Sequence, residues 1–544
     1  MFIKPLKPKK IETLKTKAIL DKSPEPEFST ELSTPEQGSF ESLESKTTLI
    51  KAELNNSPDI IVRNFLIGSI PDGLKAAIIY VEGLTDKNQI DTGILRPLML
   101  ENDGSQFNTD TDRITTIERK LITVGQVEKV KFEKKKLAFK ILTGDTLLMI
   151  EGASDVLIVS VKGWEKRSIE EPDTEVVIKG PRDGFTESIR TNTALIRRKL
   201  GHPDLTLETM TLGEISQTEI CLVYLKGVVD EDYVKEAKSR ISRIQTDGIL
   251  GAGFIEQFIE DTPFSIFSTI GYTERPDVTA AKLLEGRIAI LVDGTPVVNT
   301  IPMLFIENFQ SPDDYNFRPF FATLIRWVRY TAFVLTLLTP ALYVALTTFH
   351  QEVLPTKLLI SMAAAIEGTP FPAVIEVLGM GLIFEILREA GIRLPRPIGQ
   401  AVSIVGALVI GDATVSAGLV GAPTVIVVAL TAISSFVSPT MAPISVILRF
   451  LLTILAGFMG GIGMVFGLLI ILIHLVSLRS FGVPYLSPLA PLKLRDLKDV
   501  LIRAPIWALT TRPKFIGANN PKRQKGFQQP HAPSSAEQNK RERK

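Results

Sequence analysis

The chain has 544 residues, 61 Lys and Arg against 60 Asp and Glu for a formal net charge of +1, and a single cysteine. That balance excludes a partner chosen by bulk charge, nucleic acid included, and one cysteine, Cys221 in the apolar run ICLVYL, excludes an intrachain disulfide framework. Nearly all long apolar runs follow Trp327 while most charge precedes Pro319, so the average conceals a soluble part followed by a membrane part.

Residues 1–57 are rich in Lys, Glu, Ser, Pro and Thr, with SPEPEFSTELSTPEQGS at their centre. Such a segment buries too little apolar surface to offset chain entropy and is expected to be disordered. Its start, MFIKPLKPKKIETLKTK, carries charge but no apolar core of a signal peptide, which leaves the soluble part expected on the cytoplasmic side.

Residues 58–318 alternate short β-rich runs with helical stretches, as expected of a cytoplasmic α/β domain. The run AAIIYVEGLTDKNQID aligns with EICLVYLKGVVDEDYVKE, placing Gly83 over Gly227 and Asp86 over Asp230. At nearly equal distance GDTLLMIEG aligns with GRIAILVDG, placing Gly144 over Gly286 and Gly152 over Gly294. Two related subdomains follow from this duplication. Asp86 and Asp230 come just after a strand and glycine, where a carboxylate suits a helix start. A helix is also expected after GPRDGFTESIR, capped by Thr186 and burying Ile189, Leu195 and Ile196.

The fragment GILGAGF lacks the strand, spacing and downstream acid of a dinucleotide fingerprint. His202, His350, His474 and His531 are scattered, and there is no Walker-type phosphate loop. No catalytic residue, cofactor or metal is therefore assigned, and an enzyme is not expected.

Residues 319–480 read as a polytopic α-helical membrane domain. WVRYTAFVLTLLTPALYVALTT, from Trp327 to Thr348, is long enough for a hydrocarbon core of about 30 Å, with Pro340 as a kink. KLLISMAAAIEGTPFP is too short to span. Further apolar helices are expected over Ala373–Leu387, Ala401–Val420 and Val425–Val437, and Ile444–Leu478 is either two short spans or one span broken at Gly460 and Gly461. Arg318, Arg326 and Arg329, then Arg388, Arg393 and Arg396, then Arg479, Lys493 and Arg495 mark three cytoplasmic sites, giving four or six crossings.

The charges inside these runs are the candidate functional residues, because a carboxylate at hydrocarbon depth is costly unless it meets water or a partner. Glu385 and Arg388 stand three apart and can pair. Glu376 and Asp412 have no oppositely charged sequence neighbour and are the better candidates for a pore, with Arg449 a possible partner for either acid. Gly457 and Gly461, and Gly463 and Gly467, have the four-residue spacing of close helix packing, within one subunit or between copies. Residues 481–511 form an amphipathic segment with Leu492, Leu494, Leu497, Val500 and Leu501 along one side of a helix, and 512–544 a basic disordered tail.

The text PFPAVIEVLGMGLIFEILREAGIRLPRPIGQAVSIVGALVIGDATVSAGLV closely resembles the membrane core of A subunits of bacterial spore germinant receptors, the GerA family, as do GPRDGFTESIRTNTALIRRKL, YTERPD and LLEGRIAILVDGTP in the soluble part. Length and the Lys/Pro-rich start resemble a GerK-type A subunit. The resemblance implies a protein of the spore inner membrane acting with a transporter-like, nutrient-binding B subunit and a lipoprotein C subunit. It further implies a homo-oligomer embedded in membrane lipid that forms the ion-conducting part of a nutrient-gated channel. The family often carries Met-Glu where this chain has Met380-Gly381, and Glu or Gln at the place of Asp412. An auxiliary sporulation channel or a secondary transporter subunit without nutrient recognition is the alternative, and the α/β domain is a candidate ligand sensor or coupling element.

Overall fold

The computed structural model describes residues 42–68, 73–100, 126–163, 174–394 and 409–526, with a few isolated positions between and after these segments. Of the expected features, residues 1–41, Arg396, most of the first half of Ala401–Val420 and residues 531–544 lie outside the described set.

The duplication is realised as two five-stranded sheets of the same topology. The first contains β1 (Ile60–Ile67), β2 (Leu74–Val81), β3 (Val127–Lys131), β4 (Thr146–Ile150) and β5 (Asp155–Val159) in the order β1-β2-β4-β5-β3. The second contains β6 (Leu205–Leu212), β7 (Thr218–Leu225), β8 (Gly271–Thr273), β9 (Ile288–Val292) and β10 (Val298–Ile301) in the order β6-β7-β9-β10-β8. Every pairing in both sheets is antiparallel. The central strands β4 and β9 are buried along their whole length, which is why both, after Thr146 in β4, read as apolar runs.

The aligned glycines have matching backbones. Gly83 and Gly227 lie at φ +82° and +77°, and Gly152 and Gly294 at +77° and +80°. A left-handed residue closes the turn after each strand, and only glycine takes that conformation without a Cβ penalty. Beyond those turns Asp86 accepts hydrogen bonds from the amides of Asn88 and Gln89 at 2.9 and 3.2 Å, and Asp230 from that of Asp232 at 3.1 Å. Both aspartates are helix N-caps, as expected of a carboxylate at a helix start.

Three expectations are corrected here. The disorder expected of residues 1–57 does not hold from Ser42 on, because α1 (Leu43–Glu53) is a helix whose Leu43, Ile50 and Leu54 join the core formed by β2, β4 and α2 (Lys134–Leu142). The polar average of the tail had hidden a short amphipathic stretch. Helix α3 (Ile189–Lys199) does bury Ile189, Leu195 and Ile196, yet its cap is Ser188 rather than Thr186. Thr186 instead gives its amide and hydroxyl to Asn192 Oδ1. Between β7 and β8 follow α4 (Glu231–Ser242) and α5 (Ala252–Ile259), and α6 (Pro276–Glu285) leads into β9.

The third correction concerns residues 481–526. No amphipathic helix forms: the segment is a strap of turns and short 3-10 pieces, with Leu492 and Leu494 exposed and Val500 buried. Two cis X-Pro bonds, Ser487-Pro488 and Ala490-Pro491, lie in this segment. The start of the basic tail packs on the soluble domain, since Arg512 donates to the carbonyl oxygens of Leu284, Asn520 and Lys522 and Ile516 is buried.

In the membrane part α7 (Pro319–Thr348) has 30 residues, and at 1.5 Å per residue it extends about 45 Å. It continues through Pro340. α8 (Thr356–Ile366) is short, as expected, followed by α9 (Ala373–Arg393) and α10 (Ala422–Ser435). Among the described residues two helical stretches are long and apolar enough to cross a bilayer, Pro319–Thr348 and Pro439–Ser477.

The second of these stretches is a hairpin. Within α11 (Ala442–Ser477) Gly460 has φ +62° and ψ −143°, which no helix contains. A Cβ built on Gly467 would come within 2.6 Å of Leu452, and one on Gly463 would meet the backbone of Leu455. Residues so far apart in sequence touch only if the second limb runs back along the first. At both open ends the limbs meet the soluble domain: Thr440 donates to Asn308 O, and His474 Nε2 lies 2.9 Å from Ser265 Oγ. Ile444–Leu478 is therefore two short limbs, turned where Gly460 packs against Phe349 and His350 at the far end of α7.

Candidate functional site at the membrane charges and the joint below them

The first limb of the hairpin and α9 run antiparallel and in contact. Gly457 sits against Val374, and farther down the same pair of helices Arg449 meets Glu385. Arg449 is seven residues into its limb, roughly 10 Å from the end at 1.5 Å per residue, so the ion pair stands well inside the bundle. Glu385 is shared: one carboxylate oxygen takes Arg449 Nη2, the other takes Arg388 Nη2 at 2.5 Å. The expected Glu385–Arg388 pair is present. Arg449, however, partners neither Glu376 nor Asp412.

Two guanidiniums thus face one carboxylate. The Nη1 atom of Arg388 is buried and has no hydrogen-bond partner among the described residues. A cavity of about 20 Å³ beside the cluster, lined by Pro340, Val377, Gly381, Arg449 and Thr453, has room for about one water molecule. Gly381, where relatives were expected to carry a glutamate, lines this cavity and faces the Phe450 ring.

Glu376 is the fourth residue of α9 and only 3% exposed. Its Oε2 accepts from the amide of Gly421 at 3.1 Å and from Thr424 Oγ1 at 2.8 Å, so a side chain from one helix caps the first turn of α10. Thr424 Oγ1 in turn lies 3.1 Å from the Tyr343 hydroxyl of α7. A carboxylate gains from a helix N-terminus, which explains an acid here without a cation. Its Oε1 is buried and without a partner among the described residues.

Asp412 behaves differently. It is exposed on a helical stretch whose neighbour Gly411 packs against Val425, and no partner for it occurs among the described residues. The candidate packing glycines all have intramolecular roles: Gly457 meets α9, Gly461 faces the His350 ring, and Gly463 and Gly467 hold the two hairpin limbs together.

A second charged cluster, which sequence reading had taken only as an orientation marker, joins the soluble domain to α7. Arg326 is 0% exposed and reaches Asp314 Oδ2 at 3.1 Å, the Asp499 carbonyl at 2.5 Å and Asp499 Oδ1 at 3.2 Å. Arg329 adds contacts to both oxygens of Asp314, at 2.8 and 2.9 Å, and to Phe309 O. The strap closes the joint: Trp327 and Tyr330 donate to the carbonyls of Leu501 and Val500, and Arg503 donates to that of Tyr315. Burial, with Asp499 beside it, pushes the Tyr315 hydroxyl far above its usual range, so it stays protonated and donates to Asp499 Oδ2 at 2.9 Å. The sequence signal available was the pair Arg326 and Arg329, three apart on α7, with Asp314 shortly before it. Asp499 is too distant in sequence to have been joined to it.

Next to the joint a cavity of about 400 Å³ is lined by residues including Asp277, Arg287, Tyr315 and Arg523. Its central charges are already matched, since Arg287 and Lys282 both pair with Glu307. Burial opposes ionisation of Glu307, but those two cations hold its carboxyl below the ordinary value of 4.5. No group of three or more potential metal ligands occurs among the described residues.

Comparison with known proteins gives the arrangement its context. The chain is 47% identical over 489 residues to spore germination protein KA of Bacillus subtilis (strain 168), covering 89% of this chain and 88% of that one. It is 40% identical over 471 residues to spore germination protein GerLA of Bacillus cereus, covering 86% and 94%. Among solved structures, the N-terminal domain of the A subunit of the Bacillus megaterium spore germinant receptor GerK3 is 38% identical, covering 49% of this chain and 99% of that one with a TM-score of 0.39. A family-wide profile described as Bacillus/Clostridium GerA spore germination protein matches residues 48–515, and the chain belongs to that family.

Proposed function

We propose that the chain is the A subunit of a nutrient-responsive germinant receptor of the spore inner membrane, and that copies of it assemble into the ion-conducting component that starts germination. The observation carrying the conducting role is Asp412, an exposed carboxylate on an otherwise apolar helical surface. An acid that faces lipid is costly, and one that faces water inside a ring of copies is not. The cavity beside Arg449 is too small to pass a hydrated ion through one subunit, which favours a path between subunits. The soluble domain and the strap would lie on the spore-core side, where both ends of the hairpin and the start of α7 gather. A transporter-like B subunit would bind the nutrient and a lipoprotein C subunit complete the receptor, as the family resemblance implies.

The test is cation flux through the purified full-length chain in vesicles, and cation release from spores given nutrient. Asp412→Asn should reduce flux and alter cation preference while leaving assembly intact. Flux through Asp412→Asn equal to that of the unaltered chain removes the residue assignment. A chain that remains solitary in the bilayer and passes no ions removes the conducting role.

A further inference from the structure

The second subdomain has an apolar corner that its own fold does not use. In the loop after α5, Phe264 is 100% exposed, and Pro263 and Ile266 are also exposed. Phe254 and Phe258 stand outward on α5, while Ile255 and Ile259 of the same helix are buried. The charges of this loop are turned away from that corner. Glu260 accepts the amide of Thr269 at 2.7 Å, and Asp261 pairs with Arg240 at 2.5 Å. What remains outward is a proline, a phenylalanine and an isoleucine.

The position of this loop identifies what covers it. Ser265, between Phe264 and Ile266, lies 2.9 Å from His474 Nε2, and the Phe267 ring packs on the His474 ring at 6.0 Å. His474 is one turn from the end of the returning hairpin limb, whose neighbours Ile470, Ile473 and Val476 are exposed apolar residues on its outer surface. The apolar corner therefore continues the outer surface of a membrane helix at the level where that helix leaves the bilayer. Sheet register gives the opposite pole. Ile301, at the membrane-proximal end of β10, is paired to Ile288, and β9 then runs to Val292, opposite Ile220 of β7. The β6–β7 turn with exposed Ile215 consequently lies at the end of the sheet farthest from the hairpin.

We infer that the loop bearing Phe264 and Ile266 inserts into the lipid interface and anchors the second subdomain to the bilayer beside the hairpin. Aromatic and branched apolar side chains without nearby outward charge suit the boundary of headgroups and acyl chains. A second copy of the chain is the competing occupant. This inference rests on the hairpin spanning the membrane, and it stands independently of ion conduction.

Because Cys221 is buried, single cysteines introduced into the full chain can be labelled selectively with an environment-sensitive fluorophore. The labelled chain is placed in vesicles of phosphatidylcholine and phosphatidylglycerol, with or without lipids carrying a doxyl quencher near the headgroup. A label at Phe264→Cys should lose emission as strongly as one at Ile473→Cys, one at Phe258→Cys less, and one at Ile215→Cys none. Emission at 264 that ignores the quencher while 473 responds overturns the proposal, as does cross-linking of Phe264→Cys copies to one another. If 473 is also unresponsive, the spanning assignment of the hairpin fails, a separate outcome. The position is fully exposed, so its variants should fold, and their yield from membranes reports that directly.

Discussion

Two of the molecule's buried charge clusters are built in opposite ways. At the joint Asp314 and Asp499 face Arg326 and Arg329, and the guanidiniums find further acceptors in backbone carbonyls of the strap and the preceding loop. Inside the helical bundle Glu385 alone serves Arg388 and Arg449, with one Arg388 nitrogen unpartnered among the described residues. Buried ion pairs repay their desolvation only when the remaining donors and acceptors are also satisfied. The joint comes close to that condition, with Arg503 Nε a buried nitrogen without a partner among the described residues, and it ties the soluble domain and the strap to α7. In the bundle cluster one carboxylate is shared by two guanidiniums, so its charges are less evenly matched.

The largest expected effect breaks the joint. Asp314→Ala leaves two arginines, one of them fully buried, without their shared carboxylate and should cost about 3–5 kcal/mol, read as a lowered Tm of the detergent-solubilised chain. An unchanged Tm would show that the strap alone holds α7.

The bundle cluster should respond more weakly and in a way that can be repaired. Glu385→Ala strands Arg449 and should destabilise by about 3 kcal/mol, while Glu385→Leu with Arg449→Met should recover most of the loss, since an apolar pair carries no desolvation cost. A double variant as unstable as the single one would mean that the charges are themselves needed for folding.

Backbone effects separate the two halves further. Gly460→Ala must place a Cβ 2.9 Å from Phe349 and His350 atoms at φ +62°, and should cost about 1–3 kcal/mol with loss of the hairpin turn, measured by protease sensitivity and Tm. Gly294→Ala, with open space around its Cβ, should cost only the left-handed penalty of about 1 kcal/mol. The smallest effects test the duplication: Asp86→Ala and Asp230→Ala should each cost about 1 kcal/mol in denaturant titration of the soluble domain's unfolding, as expected for a lost N-cap. Unequal values would show that the two subdomains use matching caps differently.

Much of the soluble fold was legible because its signals are local. A strand closed by a left-handed glycine and a capping aspartate is written within ten residues, and its repetition was visible without coordinates. The strap was misread because the leucine spacing from Leu492 to Leu501 suits a helix. Pro488 and Pro491 precede it, and Val500 is held by Arg326 and Tyr330 from α7. At the candidate site the i,i+3 pair Glu385–Arg388 could be read, being adjacent on one helix face. The role of Glu376 could not, because its cap lies on another helix 45 residues away.

The sequence by itself determined the division into a duplicated soluble part and an apolar helical part, the pairing of the two subdomains, and the presence of acids where hydrocarbon is expected. Each depends on composition or short-range periodicity, which chain-local physics enforces. Only the tertiary structure decided that residues 442–477 turn back at Gly460, that Arg449 answers Glu385, that Glu376 caps a neighbouring helix, and that Asp499 completes the joint with Asp314 and Arg326. Those choices depend on which distant groups share a small volume, and the cost of leaving a buried charge or amide unpaired selects among them.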